Sequence, residues 1–242
     1  YLRGRFLRNK NTPDHFRRAI EHLEWVVEAE PNFAAPYCLL AQLHFMLAVF
    51  GIVPRDTAAG RVGRLVEEAL TKGSRLSETY VSLGLQREFF DWDWTAAEAA
   101  FREAVRRAPG SSVAHQEFGA FLGRTRRFRR GRAQIERALS LDPLSPNTQT
   151  LAAELSYYEG RYEESAAACR RALELDASYV WALVLLSWSL LESGSDDGAV
   201  DVLRDAVEIS DRSSFALGSL GYAYAVAGTR TAAEDVLGEL EG

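Results

Sequence analysis

The chain has 242 residues, of which 47% are hydrophobic and 26% are charged, and its formal net charge is −6 at pH 7. This balance predicts a folded protein and argues against a basic surface for direct nucleic-acid binding. The two cysteines, Cys38 and Cys169, suggest neither a disulfide framework nor a zinc site and favour a reducing compartment. No apolar run reaches the ~18 residues of a membrane span. We therefore expect a cytoplasmic protein without a membrane contact.

Small residues recur along the chain with a spacing of 34 residues. One series consists of Ala97, Gly131, Ser165, Ala199 and Ala233. A second series, seven residues further on, consists of Ala104, Ala138, Ala172, Ala206 and Leu240. A repeat of this length fits two antiparallel helices, whose small residues let neighbouring helices approach closely. One such pair cannot bury its apolar face alone, so the pairs must stack.

The period predicts seven helix pairs in chain order. Their boundaries fall at residues 1–33, 34–76, 77–111, 112–145, 146–179, 180–213 and 214–242. In the first pair, Thr12 and Pro13 form an N-cap followed by proline at the first helical position. The second pair is lengthened around residues 49–61, which predicts either an extended first helix with a capping loop or an apolar lip over one end of a groove.

The third pair carries the run Asp91, Trp92, Asp93 and Trp94 between its helices. Trp94 occupies the slot that aromatic residues hold in later pairs, so we expect it to pack onto its own pair. Thr95 with the glutamate three residues later predicts a capping box at the start of the next helix.

The fourth pair contains a dense run of arginines. These are Arg124, Arg126, Arg127, Arg129, Arg130 and Arg132. The run has two interpretations. It is either a solvated turn balanced by Glu117, Glu136 or another acidic neighbour, or a contact for an acidic partner through Arg124 to Arg130.

The pattern resembles the tetratricopeptide repeat family over nearly the whole chain. Residues 217–240 carry it well, with Gly221, Tyr224, Gly228 and Ala233 in the expected slots. The resemblance implies an all-α, right-handed superhelical solenoid of about seven helix pairs, forming a single domain over residues 1–242. It also implies protein–protein interaction on a concave face lined by the first helix of each pair.

Counting helical positions away from the small contact residues gives the side chains expected to face that groove. They include Phe45, Met46, Leu85, Phe89, Glu154, Tyr157, Tyr158, Trp181, Trp188 and Tyr222. A set this rich in aromatic residues predicts a site for a protein or peptide. The alternative is that the aromatic side chains pack between neighbouring pairs.

Catalytic chemistry is not indicated. The four histidines are His15, His22, His44 and His115, and no acid, base and nucleophile converge in any stretch. We expect neither an enzyme nor a cofactor or metal site. The runner-up function is a self-assembly module that oligomerises through the last helix or the lengthened second pair.

Several segments narrow the resemblance. Residues 1–7, 12–14, 19–21 and 91–94 look like the C-terminal repeat regions of bacterial signalling proteins and transcriptional regulators. The N-terminal domain of such proteins is commonly a winged helix, a nucleotide cyclase or a serine/threonine kinase. Since the sequence begins at Tyr1, we expect a fragment of a longer protein that serves as its regulatory or sensing region.

Overall fold

The computed structural model describes residues 1–8, 12–73 and 75–241, and every regular element in these ranges is an α-helix. Residues 9–11, 74 and 242, which belong to the first, second and seventh predicted pairs, lie outside the described residues. The helices of the described ranges are α1 Leu2–Arg8, α2 Pro13–Ala29, α3 Ala34–Val49, α4 Arg55–Gly73, α5 Ser77–Phe89, α6 Trp94–Arg107, α7 Ser112–Arg124, α8 Phe128–Leu141, α9 Pro146–Tyr158, α10 Tyr162–Leu175, α11 Val180–Glu192, α12 Asp196–Ile209, α13 Ser214–Val226 and α14 Arg230–Glu241.

The helices pack as sequential pairs, which confirms the predicted all-α repeat fold. Each odd-numbered helix packs on the even-numbered helix that follows it, and the short connections make the two antiparallel. The chain forms two compact units, Tyr1–Pro143 and Leu144–Gly242, here called unit 1 and unit 2. In unit 1, α5 also contacts α3 and α7; in unit 2, α11 also contacts α9 and α13. The first helices of each unit therefore lie side by side.

Small residues on the first helices make this close packing possible. A Cβ added to Gly84 of α5 would lie 2.6 Å from the ring of Phe101 on α6. A Cβ added to Gly119 of α7 would lie 2.8 Å from Ile135 on α8. Both partners are almost fully buried, so the space that each glycine leaves is filled by the facing helix.

One position in the turn between paired helices adopts a left-handed backbone conformation in successive pairs. Gly160, Gly194 and Gly228 lie 34 residues apart and have φ angles of 75°, 76° and 73°. Two further residues follow the same register. Arg126 has a φ of 59°, and Trp92 has a φ of 54°. We call this position the turn slot. Glycine adopts such angles freely, whereas a residue with a Cβ is strained there.

The extra residues of the second pair lengthen its helices. The first helix runs over 16 residues and the second over 19, against 13 and 14 in the third and fourth pairs. Phe50, at the centre of the insertion, is 1% exposed, and its ring centroid lies 5.8 Å from that of Phe16. The structure therefore favours an extended helix with a short loop over an apolar lip.

The start of α6 differs from the predicted capping box. The N-cap is Asp93, whose carboxylate accepts a hydrogen bond of 2.9 Å from the backbone N–H of Ala96. Thr95 lies inside the helix, so its predicted capping role was wrong. Trp94 is 56% exposed, so most of its ring lies in solvent and does not pack onto its own pair as expected.

None of the helices in the described part of the chain combines the length and apolar character needed to cross a membrane.

Candidate functional site

An aromatic surface extends across the first helices of unit 2. The rings of Trp181 and Trp188 on α11 meet edge to face at 5.4 Å. The ring of Phe215 on α13 lies 5.5 Å from Trp181 and 6.3 Å from Trp188. Tyr157 on α9 lies 6.2 Å from Trp188 on the other side. With their neighbours these residues form what we call the aromatic face: Tyr157, Tyr158, Trp181, Trp188, Phe215 and Tyr222.

Helix geometry explains why these rings share one side. Trp181 and Trp188 are two helical turns apart, as are Phe215 and Tyr222, so each pair projects from the same side of its helix. The opposite side of α11 carries residues such as Leu185 and is buried in the core of the unit. The helix is apolar all round, and only one of its sides is needed for packing within its own pair.

The aromatic face is partly open to solvent. Tyr222 is 57% exposed and Tyr158 is 40% exposed, while Trp181 and Trp188 are half-buried. The sequence predicted either an open binding surface or rings that pack between neighbouring pairs. The structure combines the two, because the rings contact one another across neighbouring helices and still leave surface open to solvent. An exposed cluster of this kind suits the burial of an apolar side chain from a partner.

The charges near the aromatic face are negative. Burial, followed by the negative charge of the nearby Glu192 carboxylate, raises the pKa of Tyr157 to about 12. Glu154 lies on α9 at 5% exposure. The three helices α9, α11 and α13 contain these two carboxylates and neither lysine nor arginine. Glu154 has little surface for a partner at this exposure, so the face combines aromatic rings with the exposed Glu192 carboxylate.

The predicted groove residues of unit 1 are more tightly packed. The rings of Phe45 and Phe89 lie 4.8 Å apart, and Met46 is half-buried beside them on α3. Leu85 is 6% exposed and belongs to the hydrophobic core. The Arg124 guanidinium covers the Phe89 ring at 5.0 Å. The structure brings Phe45 and Phe89 together, but it leaves Leu85 little surface for a partner.

The arginine run divides into paired and exposed members. Arg124 forms two hydrogen bonds of 2.6 and 3.0 Å with the carboxylate of Glu88, which is almost fully buried. Arg127 and Arg130 lie 2.5 and 3.5 Å from the Glu98 carboxylate. The hydrogen bond from Arg127 is the main cause that lowers the pKa of Glu98. These counter-charges are acidic neighbours from the preceding pair, which the charge-balanced interpretation allowed without naming them beside Glu117 and Glu136.

The remaining two arginines of the predicted patch are open to solvent. Arg126 occupies the turn slot, and its guanidinium lies 5.8 Å from the Phe128 ring. Arg129 is exposed on the first turn of α8.

Sequence reasoning missed two contributors to these surfaces. Phe215 belongs to the aromatic face, and its signal is the seven-residue spacing to Tyr222 on the same helix. Arg55, the first residue of α4, places its guanidinium 5.1 Å from the Trp92 ring. No local sequence signal identifies this second contact, because it joins two different pairs.

The buried titratable groups serve packing. Burial raises the pKa of the Cys38 thiol to about 11 and that of the Cys169 thiol to about 12, so neither is a ready nucleophile. Both ring nitrogens of His115 have partners, at 2.7 Å from Gln134 and 3.0 Å from the Pro109 carbonyl. Within the described ranges, no three His, Cys, Asp or Glu residues are arranged to hold a metal ion.

Comparisons with known proteins agree with this architecture. The profile of the tetratricopeptide repeat family matches residues 122–180 and 150–214. Over 143 residues, 59% of this chain, the sequence is 26% identical to the transcriptional regulator HilA of Salmonella typhimurium and of Salmonella typhi. The match covers 26% of HilA, so the chain spans about a quarter of the length of these regulators.

Two solved structures share the fold at low sequence identity. PilW, a type IV pilus biogenesis factor, is 18% identical, with 84% of this chain and 92% of PilW covered at a TM-score of 0.63. A chain of the APC/C hetero-tetramer Cut9-Hcn1 is 12% identical, with 90% of this chain and 45% of that chain covered at a TM-score of 0.64.

Proposed function

Because this chain is a tetratricopeptide repeat protein, a type of protein–protein interaction module, we propose that it binds a segment of a partner protein on the aromatic face of unit 2. The observation that carries the proposal is the cluster of Trp181, Trp188 and Phe215, which is assembled from two first helices and remains partly exposed. Burying one such ring removes ~150–250 Å² from water, an upper bound of roughly 4–6 kcal/mol before the costs of association. Two or three rings suffice to anchor a short helix or extended peptide.

The charge of unit 2 supports a basic partner segment. Residues 144–242 contain 17 Asp and Glu residues against 6 Lys and Arg residues. Glu192 lies one turn beyond Trp188 on α11, so a lysine or arginine of the segment is able to pair with it while an adjacent apolar side chain contacts the rings. Cations also bind favourably over the faces of Trp and Tyr rings.

Peptide selection tests this proposal. A random library of 16-residue peptides is displayed on phage and selected on the full chain, and enriched peptides are synthesised and titrated by tryptophan fluorescence. We expect Trp188→Ala to weaken binding by ~30-fold and Tyr222→Ala by ~10-fold, as for central and peripheral interface residues. Trp25→Ala is the matched control, because that tryptophan is 68% exposed on α2 in unit 1.

The exposed Tyr222 separates binding from folding. Its ring is largely in solvent, so its removal leaves the circular dichroism spectrum and melting temperature unchanged. Enriched peptides that bind the Tyr222→Ala and Trp188→Ala variants as tightly as the unmodified chain would exclude the aromatic face as the binding site.

The wider role that we propose is regulatory and non-catalytic. The similarity to HilA supports a chain that belongs to a bacterial transcriptional regulator or another signalling protein, in which partner binding controls the activity of a separate domain. Reading the coding sequence upstream of Tyr1 tests this role. A winged-helix, cyclase or kinase domain supports it, and an open reading frame that encodes none of these contradicts it.

Self-assembly is the second candidate function, and one observation favours it. Leu237 and Leu240 of α14 are 55% and 39% exposed, so the last described helix presents an apolar strip. Light scattering between micromolar and millimolar concentration distinguishes the two functions. A Leu237→Glu variant that converts an oligomer to a monomer supports self-assembly, whereas a strict monomer at all concentrations excludes it.

A further inference from the structure

The turn slot is occupied differently in the two units. Unit 2 has glycine in it at residues 160, 194 and 228, while the third and fourth pairs, in unit 1, have Trp92 and Arg126 there. The lengthened second pair of unit 1 has the left-handed Gly51, with a φ of 68°, in its turn. A side chain with a Cβ is strained at these φ angles, and tryptophan and arginine lack the short polar side chain that lets asparagine or aspartate tolerate them. Strained residues of this kind persist where the surrounding structure holds them and are concentrated at functional sites.

Neighbouring residues hold the strained turn of Trp92 in place. The Arg55 guanidinium donates to the Phe89 carbonyl at 2.5 Å and to the Phe90 carbonyl at 3.2 Å, just before the turn. The backbone N–H of Asp93 donates to the Arg87 carbonyl at 2.9 Å, just after it. The Trp92 ring is nevertheless 66% exposed. These contacts fix the turn while leaving its side chain to solvent.

Ion pairs join the segments that carry the two strained turns. Glu98 lies one helical turn beyond Trp94 on α6, and its carboxylate binds Arg127 and Arg130 at the start of α8. Because these ion pairs hold Glu98 against the start of α8, we infer that the exposed Trp94 lies near the segment that carries Arg126 and Arg129. We call the surface formed by Trp92, Trp94, Arg126 and Arg129 the turn edge.

The turn edge has a positive charge that the described residues do not neutralise. Among the residues that the structure describes, no carboxylate pairs with Arg126 or Arg129. The two carboxylates of the neighbouring turn are already engaged, since Asp91 pairs with Arg87 at 2.9 Å and Asp93 caps α6. Unit 1 as a whole has 22 Lys and Arg residues against 17 Asp and Glu residues, the reverse of unit 2.

We propose that the turn edge is a second interaction surface, which binds an acidic segment of a partner protein. The exposed rings of Trp92 and Trp94 provide apolar contact area, and Arg126 and Arg129 provide the complementary charge. At the turn slot Trp92 and Arg126 present side chains to solvent at the cost of backbone strain, where glycine would present no side chain. The turn edge shares no residue with the aromatic face, so each proposal is tested by its own variants and does not depend on the other.

The first experiment measures the strain. Trp92→Gly and Arg126→Gly each relieve a left-handed residue, and we expect each to raise the melting temperature of the full chain by about 2–4 °C. Gly160→Ala and Gly194→Ala introduce the same strain in unit 2 and serve as matched controls, with an expected fall of similar size. The proposal would be overturned if the glycine variants at 92 and 126 were no more stable than the unmodified chain. The two side chains would then cost the fold no stability, and the argument from backbone strain would fail.

The second experiment measures binding. Random 16-residue peptides displayed on phage are selected on the full chain in low salt, and we expect a class of enriched peptides with net negative charge. Trp92→Gly should weaken their binding ~10-fold, and Arg126→Gly and Arg129→Gln ~3–5-fold each, with the arginine effects lost in high salt. Arg137→Gln, an exposed arginine later on α8, is the matched control.

The outcomes separate this surface from the aromatic face and from nucleic acid. Acidic peptides that bind the Tyr222→Ala variant normally but lose affinity for Trp92→Gly support the proposal. It is overturned if no acidic peptides are enriched, or if their binding is indifferent to Trp92 and Arg126. Binding of a single-stranded oligothymidine that depends on Trp92 would assign the surface to nucleic acid and also overturn it.

Discussion

We predict that His44 makes the stability of unit 1 sensitive to mild acid. The side chain lies on α3, and its Nε2 atom is buried without a hydrogen-bond partner among the described residues. Burial, and to a smaller extent the nearby Arg61 guanidinium, lower the pKa of His44 from 6.5 to about 4. The folded chain therefore keeps this imidazole neutral at a pH where the unfolded chain protonates it.

The sign and size of the effect follow from this difference in pKa. Between pH 6.5 and about 4 the unfolded state binds the proton and the folded state does not, so the free energy of unfolding falls as the pH falls. The full difference is roughly 3 kcal/mol, and about 2 kcal/mol of it is lost between pH 7 and pH 5. Burial raises the pKa of Glu117 in the same unit, and this acts in the opposite direction, because a carboxyl that binds its proton more readily in the folded state stabilises that state as the pH falls. The comparison with a variant that lacks only His44 therefore isolates the histidine.

The two buried cysteines allow each unit to be followed separately. Cys38 lies on α3 with His44, and Cys169 lies on α10 in unit 2. Labelling with a pyridyl disulfide, which reacts at acid pH, reports the opening of each unit along a urea titration. The quantity measured is the free energy of opening at Cys38. On going from pH 7 to pH 5, we expect it to fall by about 2 kcal/mol more in the unmodified chain than in the His44→Leu variant.

His22→Leu on α2 is the matched control, because it removes an imidazole from the same unit and leaves His44 in place. The acid loss at Cys38 should persist in that variant. The reasoning would be refuted if the free energy of opening at Cys38 fell as much at acid pH in the His44→Leu variant as in the unmodified chain. It would also be refuted if the substitution had the same effect at Cys169.

Three further predictions concern an ion pair, the helix packing and a helix end. Glu88→Gln leaves Arg124 without its buried counter-charge and should destabilise unit 1 by about 3 kcal/mol, with less effect when Arg124→Met is also present; additive effects in this double-mutant cycle would contradict a coupled pair. Gly84→Ala should destabilise the chain by about 2 kcal/mol through overpacking, whereas Gly218→Ala, with open space around the added methyl, should be neutral or stabilising in thermal melts. Asp93→Ala should lower stability by about 1 kcal/mol, measured the same way, and no change would show that its cap is unimportant.

The repeat could be predicted because the same pattern of small residues recurs in five successive helix pairs. Each small residue at the 34-residue spacing faces the same packing demand, so errors at one position are corrected by the others. The close approaches at Gly84 and Gly119 fulfil that demand directly. The glycines at 160, 194 and 228 follow the same register, which makes the strained turns at Trp92 and Arg126 recognisable once the structure gives their φ angles.

Side-chain partners were harder to predict, because they depend on how one pair is rotated against the next. The arginine run finds Glu88 and Glu98 in the preceding pair, where sequence proximity had suggested Glu117 and Glu136. Two adjacent cap-forming residue types, Asp93 and Thr95, were both plausible starts of α6, and the two-residue difference could not be resolved by pattern alone.

Packing between sequence neighbours also bears on how the chain is made. In each unit a helix contacts the helices just before and after it, and first helices such as α5 and α11 also contact the first helices of adjacent pairs. Closing such local contacts requires only short loops, which favours rapid folding. Within a unit, each new pair that leaves the ribosome packs on the pair made just before it, which shortens the time for which its apolar residues are exposed.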